Sequence, residues 1–347
     1  MDKKIKMDIQ SYPQAAILAS EGRILALNDL AKHYLPSLEV GGVLPEGLDL
    51  PEEVEEGIGS FCAGRSVFEV RGNMTQEGML FLFHPIAEMG LSRVQLDNAL
   101  GQMRALMGEF LMEIGPYTKP DTPPLSPETR QQFSQSYHRM LRLMENMEYV
   151  NDLDRGMEKT NLDVVRIWRM LTEQVETLLR GTGTTLEFVS SEPFLMVYGD
   201  EHLLRRMFLG LLSNAMKAAR GGRICVKVSK WGKRVLLQVE DSADTATQRH
   251  RMAMVGQDTG QKLPLPDSGA GLGMAVIREI VRRHQGTLMV RWDEKNTRVV
   301  IALPRTTGSP YLSVQSPRKD PYGGFHELMV ELADVLPGDL YAMESME

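Results

Sequence analysis

The chain has 347 residues, 42% of them hydrophobic, which is enough to bury two or three separate cores. Its net charge of −7 argues against bulk nucleic-acid binding. Two cysteines exclude a disulfide framework, and the sequence has neither an apolar run of about 18 residues nor a hydrophobic signal core in MDKKIKMDIQ. These features predict a cytoplasmic protein with no membrane span.

Residues 1–89 are predicted to form a small domain of short strands. The runs AAILAS and RILAL flank Glu21 and Gly22, and Asn28 precedes a short helix. VFEVRGN and MLFLFHPI then predict two later strands around a turn that contains glycine. This pattern resembles a sensor domain of the PAS type, a kind of domain that senses a ligand or mediates dimerisation.

Residues 90–156 carry two heptad patterns, which predict a helical hairpin. The apolar seam of the first helix is Leu96, Leu100, Met103, Met107, Phe110 and Ile114. After the linker GPYTKPDTPPL, Ser126 is a candidate N-cap, and Pro127 suits the first helical position. The seam of the second helix is Phe133, Tyr137, Met140, Met144, Met147 and Val150.

The stretch LLRRMFLGLLSNAMKAARGG predicts a helix that carries Asn214 and Lys217 one turn apart on one side. An amide can ligate Mg²⁺ and an ammonium can contact phosphate. The runs RICVKVSK and RVLLQVED predict a β-hairpin that brings Asp241 to its end. A carboxylate there can accept a hydrogen bond from an adenine amino group.

Gly269, Gly271 and Gly273 alternate in the run GAGLG, directly before a predicted amphipathic helix. A glycine-rich turn that opens a helix presents backbone N–H groups and the positive end of the helix dipole to a phosphate. Gly286 is predicted to end this helix as a left-handed cap.

In this order the motifs resemble the ATP-binding domain of sensor histidine kinases, which DNA gyrase and mismatch-repair ATPases share. LLSNAMKAA matches the N box, GAGLGMAVIREIVRRHQG the second glycine box, and RVVIALP the closing strand. The resemblance implies ATP and Mg²⁺ as cofactors, with Asn214 as the Mg²⁺ ligand. The nucleotide residues that it implies are Asn214, Lys217, Asp241, Gly269, Gly271, Leu272 and Gly273.

The predicted fold class is α+β multidomain. A PAS-like α/β sensor occupies residues 1–89, and a hairpin that dimerises into a four-helix bundle occupies 90–156. A two-layer α/β sandwich that binds ATP spans 157–304, and a linker with a short C-terminal helix spans 305–347. The resemblance implies a homodimer whose partner is a response regulator or another kinase.

The chain departs from the family pattern at three places. No histidine occurs between Pro85 and Tyr137, where the first hairpin helix should carry the phosphate acceptor. Gly210 stands where a polar side chain should help to hold Mg²⁺ or water. The first glycine box, DSADT, has Ala243 and Thr245 in place of glycines, and Asp244 adds a charge that repels phosphate.

The leading hypothesis is therefore a family member with defective autophosphorylation and weak or lost ATP binding, which signals through the conformation of its hairpin. The alternative is an active histidine kinase that transfers the ATP γ-phosphate to His138, on the second helix. Without that role, His138 is expected to be a solvated surface residue. A plain ATP hydrolase is a third class, disfavoured because Gly210 has no group to orient water.

Overall fold

The structure is a computed structural model that describes residues 8–36, 38–44, 57–63, 66–88, 93–114, 126–151, 156–219, 221–242, 272–292, 297–306 and 325–341. Among the helices in these ranges, none is both long enough and apolar enough to cross a membrane.

The described residues of the N-terminal part form an antiparallel sheet with a short α-helix beside it. Its elements are β1 (Ala15–Ser20), β2 (Arg23–Leu27), α1 (Asp29–Tyr34), β3 (Gly57–Ala63), β4 (Ser66–Thr75) and β5 (Gly78–Glu88), and the strand order is β2-β1-β5-β4-β3. Glu21 and Gly22 make the β1–β2 turn with positive φ angles of 52° and 73°. The side-chain oxygen of Asn28 accepts the backbone N–H groups of Ala16 at 3.0 Å and Ala31 at 2.9 Å. The predicted helix start is therefore confirmed, and Asn28 also ties the helix to β1.

Two long helices follow, α2 (Arg93–Ile114) and α3 (Pro127–Asn151), and they pack against each other. The rings of Phe110 and Phe133 stack with their centroids 4.3 Å apart. The hydroxyl of Ser126 accepts the backbone N–H of Thr129 at 3.1 Å, which confirms the predicted N-cap.

The predicted heptad seam is only partly buried within one chain. Ala99 and Leu106 of α2 are buried in a cluster with Leu143 of α3. Several seam residues remain exposed by more than a third of their surface: Leu100, Met107, Tyr137 and Met144. A hairpin of two helices therefore leaves an apolar row uncovered along its length.

In the described residues of the C-terminal half, α-helices pack against a second sheet. Its elements are β6 (Thr160–Asp163), α4 (Val164–Leu178), β7 (Thr185–Ser190), β8 (Met196–Gly199), α5 (Glu201–Ala219), β9 (Arg223–Trp231), β10 (Arg234–Asp241), α6 (Leu272–Arg283), β11 (Thr287–Trp292) and β12 (Thr297–Pro304). The strand order is β11-β12-β10-β9-β7, with β7 parallel to β9 and the other pairs antiparallel. Buried residues of α4, α5, α6 and the sheet form one core, in which Trp168 stacks on Phe208.

Two turns in this half test the sequence predictions. Gly232 lies between the paired strands β9 and β10 with a φ of 52°, so the predicted hairpin is confirmed. Gly286 was wrongly predicted to be left-handed, because Gln285 takes that conformation with a φ of 56°. A Cβ at Gly286 would lie 2.7 Å from Leu303 and 2.8 Å from the carbonyl oxygen of Ala302. Glycine therefore lets this turn approach β12 closely.

The two sheets join edge to edge, because β3 pairs with β11 through residues 58–60 and 288–290, giving a sheet of ten strands. The predicted C-terminal helix is α7 (Phe325–Glu331), and a 3₁₀ turn follows at Gly338–Tyr341. We name residues 325–341 the C-terminal segment. It packs against α3 and α5, and its apolar residues belong to the core of the C-terminal half.

Candidate nucleotide site

The predicted metal ligand Asn214 lies on the face of α5 that packs against α6. Its Nδ2 group donates to the thioether sulfur of Met274 at 3.2 Å, and a thioether is a weak acceptor. One turn earlier, a Cβ at Gly210 would lie 3.3 Å from the Cδ1 atom of Ile277. The two helices are therefore closely packed here, and Ile277 fills the space beside the position where the family carries a polar side chain.

Lys217 contacts a different part of the protein from Asn214. Its ammonium forms an ion pair with the Asp334 carboxylate of the C-terminal segment, at 2.6 Å. Burial lowers the pKa of Lys217, against the opposing effect of Asp334. Burial by itself would raise the pKa of Asp334, but Lys217 and Arg142 hold it well below its usual value. The predicted metal and phosphate ligands therefore share a helix but do not converge on one point.

Asp241 ends β10, as predicted, and lies between Ile224 of β9 and Thr297 of β12 in the sheet. It is buried, with 2% of its surface exposed. The next residue, Ser242, accepts the backbone N–H of Arg223 at 3.1 Å through its hydroxyl. Asp241 is therefore a buried carboxylate at the end of a central strand.

The second glycine box is described only from Leu272 onwards, so Gly269 and Gly271 lie outside the described residues. Ala243, Asp244 and Thr245 of the altered first glycine box lie outside them as well. Leu272, the first residue of α6, is buried in the cluster that contains Ala99 and Leu106 of the hairpin. Gly273 has open space where a Cβ would be. The start of α6 is therefore covered on one side by apolar contacts with the hairpin.

His138, the alternative phosphate acceptor, is not the solvated residue that we expected. Only 3% of its surface is exposed. Its Nδ1 atom lies 2.6 Å from the Ser134 carbonyl oxygen, and its ring centroid lies 5.2 Å from that of Tyr341. The expectation was wrong because the C-terminal segment covers this side of α3, a contact that helical periodicity cannot show.

The sequence patterns do not reveal a set of ion pairs in which acids of the C-terminal segment bond cations of α3 and α5. Glu331 pairs with Arg206 of α5 at 3.0 Å and with Arg142 of α3 at 3.3 Å. Asp334 lies 2.8 Å from Arg142 as well as bonding Lys217. The spacing of Glu327, Glu331 and Asp334, at steps of four and three, was the available signal, because it puts three carboxylates on one helical face.

The described residues do not fit a bound nucleotide in this arrangement. Asn214 is engaged by Met274, and Lys217 by a carboxylate that would repel phosphate. Within the described ranges, no three side chains of histidine, cysteine, aspartate or glutamate form a metal-binding group. Helix α5, the end of β10 and the start of α6 are present, but the Lys217 ammonium is paired with a carboxylate of the protein itself.

Comparisons with known proteins identify the C-terminal half. Residues 199–307 match the family model of the histidine kinase-, DNA gyrase B-, and HSP90-like ATPase. The sensor histidine kinase CusS of Escherichia coli O6:H1 is 30% identical over 176 residues, which cover 48% of this chain and 35% of CusS. Sporulation kinase B of Bacillus subtilis is 29% identical over 150 residues, which cover 42% of this chain and 34% of that kinase.

A solved structure of the histidine kinase ThkA in complex with the response regulator protein TrrA is 16% identical, with a TM-score of 0.44, covering 85% of this chain and 97% of that chain. The chain spans about a third of the length of the curated relatives just described. The matched region contains the N box, Asp241 and the glycine-rich start of α6 in the family order. Residues 199–307 therefore belong to the histidine kinase-, DNA gyrase B-, and HSP90-like ATPase family, and the chain is similar to sensor histidine kinases over about half its length.

Proposed function

We propose that this protein is a histidine-kinase-family signalling protein that does not autophosphorylate and acts through the conformation of its hairpin on a partner. The observation that carries the proposal concerns the acceptor. The first hairpin helix, α2, contains no histidine in its full sequence. His138 on the second helix is buried beneath Tyr341, so an incoming γ-phosphate does not reach its ring.

The packing beside Asn214 supports the same conclusion. Phosphoryl transfer depends on positioning and on metal ions that neutralise the developing charge. The position one turn before Asn214 is Gly210, and Ile277 packs directly against it. A polar group that could orient Mg²⁺ or water is therefore missing from the sequence at this position, and the neighbouring helix has closed the space.

In this proposal, ATP binding regulates the protein. Adenine would be recognised by Asp241, and Asn214 would face Mg²⁺ after turning from Met274. The phosphates would be held by Lys217 and by the glycine-rich turn of Gly269, Gly271, Leu272 and Gly273. The family match of residues 199–307 and the position of Asp241 at a strand end support this placement.

The signalling assembly is proposed to be a homodimer formed by the hairpin, with a response regulator or another kinase as its partner. The exposed seam residues Leu100 and Met107 of α2 and Met144 of α3 support the dimer, because a second hairpin would bury them. The N-terminal antiparallel sheet with the short helix α1 supports a PAS-like sensor at residues 1–89.

Labelling tests the proposal directly. Purified protein is incubated with Mg²⁺ and ATP labelled in the γ-phosphate, and phosphohistidine is measured on an alkaline gel. We expect no acid-labile label on the wild type. Label that appears on the wild type and is lost in His138→Ala would overturn the proposal in favour of an active kinase.

A further inference from the structure

The C-terminal segment lies in the groove between α3 of the hairpin and α5 of the ATPase domain. Its apolar side is completely buried: Leu328, Leu332, Ala333 and Tyr341 each have a relative exposure of 0%. These side chains lie in the same core as Trp168 and Phe208. The segment is thus an integral part of the contact between the two domains.

The polar side of the segment meets cations from both helices. From α5, Arg205 pairs with Glu327 at 2.7 Å, and Lys217 pairs with Asp334 at 2.6 Å. From α3, Arg142 lies 2.8 Å from Asp334. A carboxylate that bonds a cation from each domain holds the two domains together.

The backbone of the segment is also bound. The Nε2 group of Gln135, on α3, donates to the carbonyl oxygens of Ala333 at 3.1 Å and Leu336 at 3.0 Å. These carbonyls lie in the turn that follows α7, and the Ala333 carbonyl also accepts from Nε of Arg139 on α3 at 3.2 Å. The hairpin therefore binds the backbone of the segment just beyond its helix.

We infer that the C-terminal segment is an internal latch, which holds the ATPase domain against the hairpin and competes with nucleotide phosphate for Lys217. This inference rests on the nucleotide site proposed above. The Asp334 carboxylate forms an ion pair with the ammonium group that would bind a phosphate, and its negative charge repels a phosphate. The latch and a bound nucleotide therefore exclude each other at this lysine.

Two features allow the latch to open. A cavity of about 940 Å³ adjoins the ion pair, lined by Arg139, Arg180, Lys217 and Asp334 among others, so a ligand can reach the lysine from this side. Arg142 and Glu331 are themselves buried, and the desolvation of such charges offsets most of their attraction. The ion pairs therefore fix the position of the segment more than they strengthen its docking.

Mutual exclusion has a reciprocal consequence. If docking of the segment weakens nucleotide binding, then nucleotide must weaken docking by the same factor. Release of the segment would also uncover His138 and the face of α3 around Arg142, since both lie beneath it. Nucleotide would thereby change the surface of the hairpin without any phosphoryl transfer.

The experiment compares the full-length wild type with Asp334→Asn by calorimetric titration with Mg·ATP. The matched control is Asp29→Asn, which makes the same change at an exposed aspartate of α1 that does not line the cavity. We expect Asp334→Asn to bind at least about fivefold more tightly than the wild type, the lower end of usual coupling between sites. The control should bind like the wild type.

A second measurement needs no variant. Amide hydrogen exchange in residues 325–341 of the wild type should become faster when Mg·ATP is added. Equal, measurable affinities of the wild type and Asp334→Asn, or exchange that ATP leaves unchanged despite binding, would overturn the latch but not the nucleotide site. Absence of binding by both proteins would overturn the nucleotide site, and the latch competition with it.

Discussion

Restoring a polar side chain at Gly210 should destabilise the protein, because Ile277 occupies the neighbouring space. The Cδ1 and Cγ1 atoms of Ile277 would lie 3.3 and 3.4 Å from a Cβ at this position. Gly210→Asn adds three more atoms beyond that Cβ in a fully packed interface. Overpacking costs about 1–3 kcal/mol, and burying an amide without partners costs about 1–3 kcal/mol more. We expect a total loss of about 2–6 kcal/mol in the free energy of unfolding.

Urea unfolding measures this loss, with Gly108 of α2 as the matched control site. A Cβ at Gly108 meets no atom within 4 Å, so Gly108→Ala should stabilise by about 0.5–1 kcal/mol through helix propensity. Gly210→Ala should raise the free energy of unfolding by less than Gly108→Ala does, because the contact with Ile277 offsets the same gain in helix propensity. This comparison separates the effect of packing from the effect of losing a glycine.

A double variant tests the identity of the neighbour. Ile277→Ala alone should cost about 2–5 kcal/mol, since the side chain is buried. Combined with Gly210→Asn, the loss should be smaller than the sum by about 1–2 kcal/mol, because the shortened side chain makes room for the amide. A Gly210→Asn protein within about 0.5 kcal/mol of the wild type would refute the reasoning.

Two further predictions concern pH and assembly. Burial lowers the pKa of His284 below its usual value of 6.5, and its Nε2 atom accepts the backbone N–H of Asp200 at 3.0 Å. Below about pH 6.5 the unfolded chain then binds more protons than the folded chain. The free energy of unfolding should therefore fall by at most about 1.4 kcal/mol for each unit by which the pH is lowered in this range. In urea unfolding at pH 7.5, 6.5 and 5.5, His284→Gln should remove this part of the slope; parallel curves would contradict the assignment. Met107→Glu combined with Met144→Glu should give a monomer by light scattering. The control Met170→Glu, at an exposed site on α4, should remain a dimer. A dimer that persists in the double variant would place the interface elsewhere.

The sequence determined the local features that depend on neighbouring residues. Asn28 and Ser126 cap helices because their side chains bond N–H groups three residues ahead. Gly232 marks its hairpin because the turn needs a positive φ. The order of Asn214, Asp241 and the glycine-rich run was enough to identify the ATPase family, because each is tied to one helix or strand end.

Tertiary structure alone decided how these groups are used. The sequence gives Asn214 and Lys217 the same side of a helix, but Met274 and Asp334 engage them from two directions. Asp334 is 117 residues away from Lys217 along the chain, so no local pattern could connect them. The same holds for His138, whose burial depends on Tyr341 at the far end of the chain. Helical spacing fixes which face a residue occupies, but the segment that covers that face is chosen by packing between distant elements.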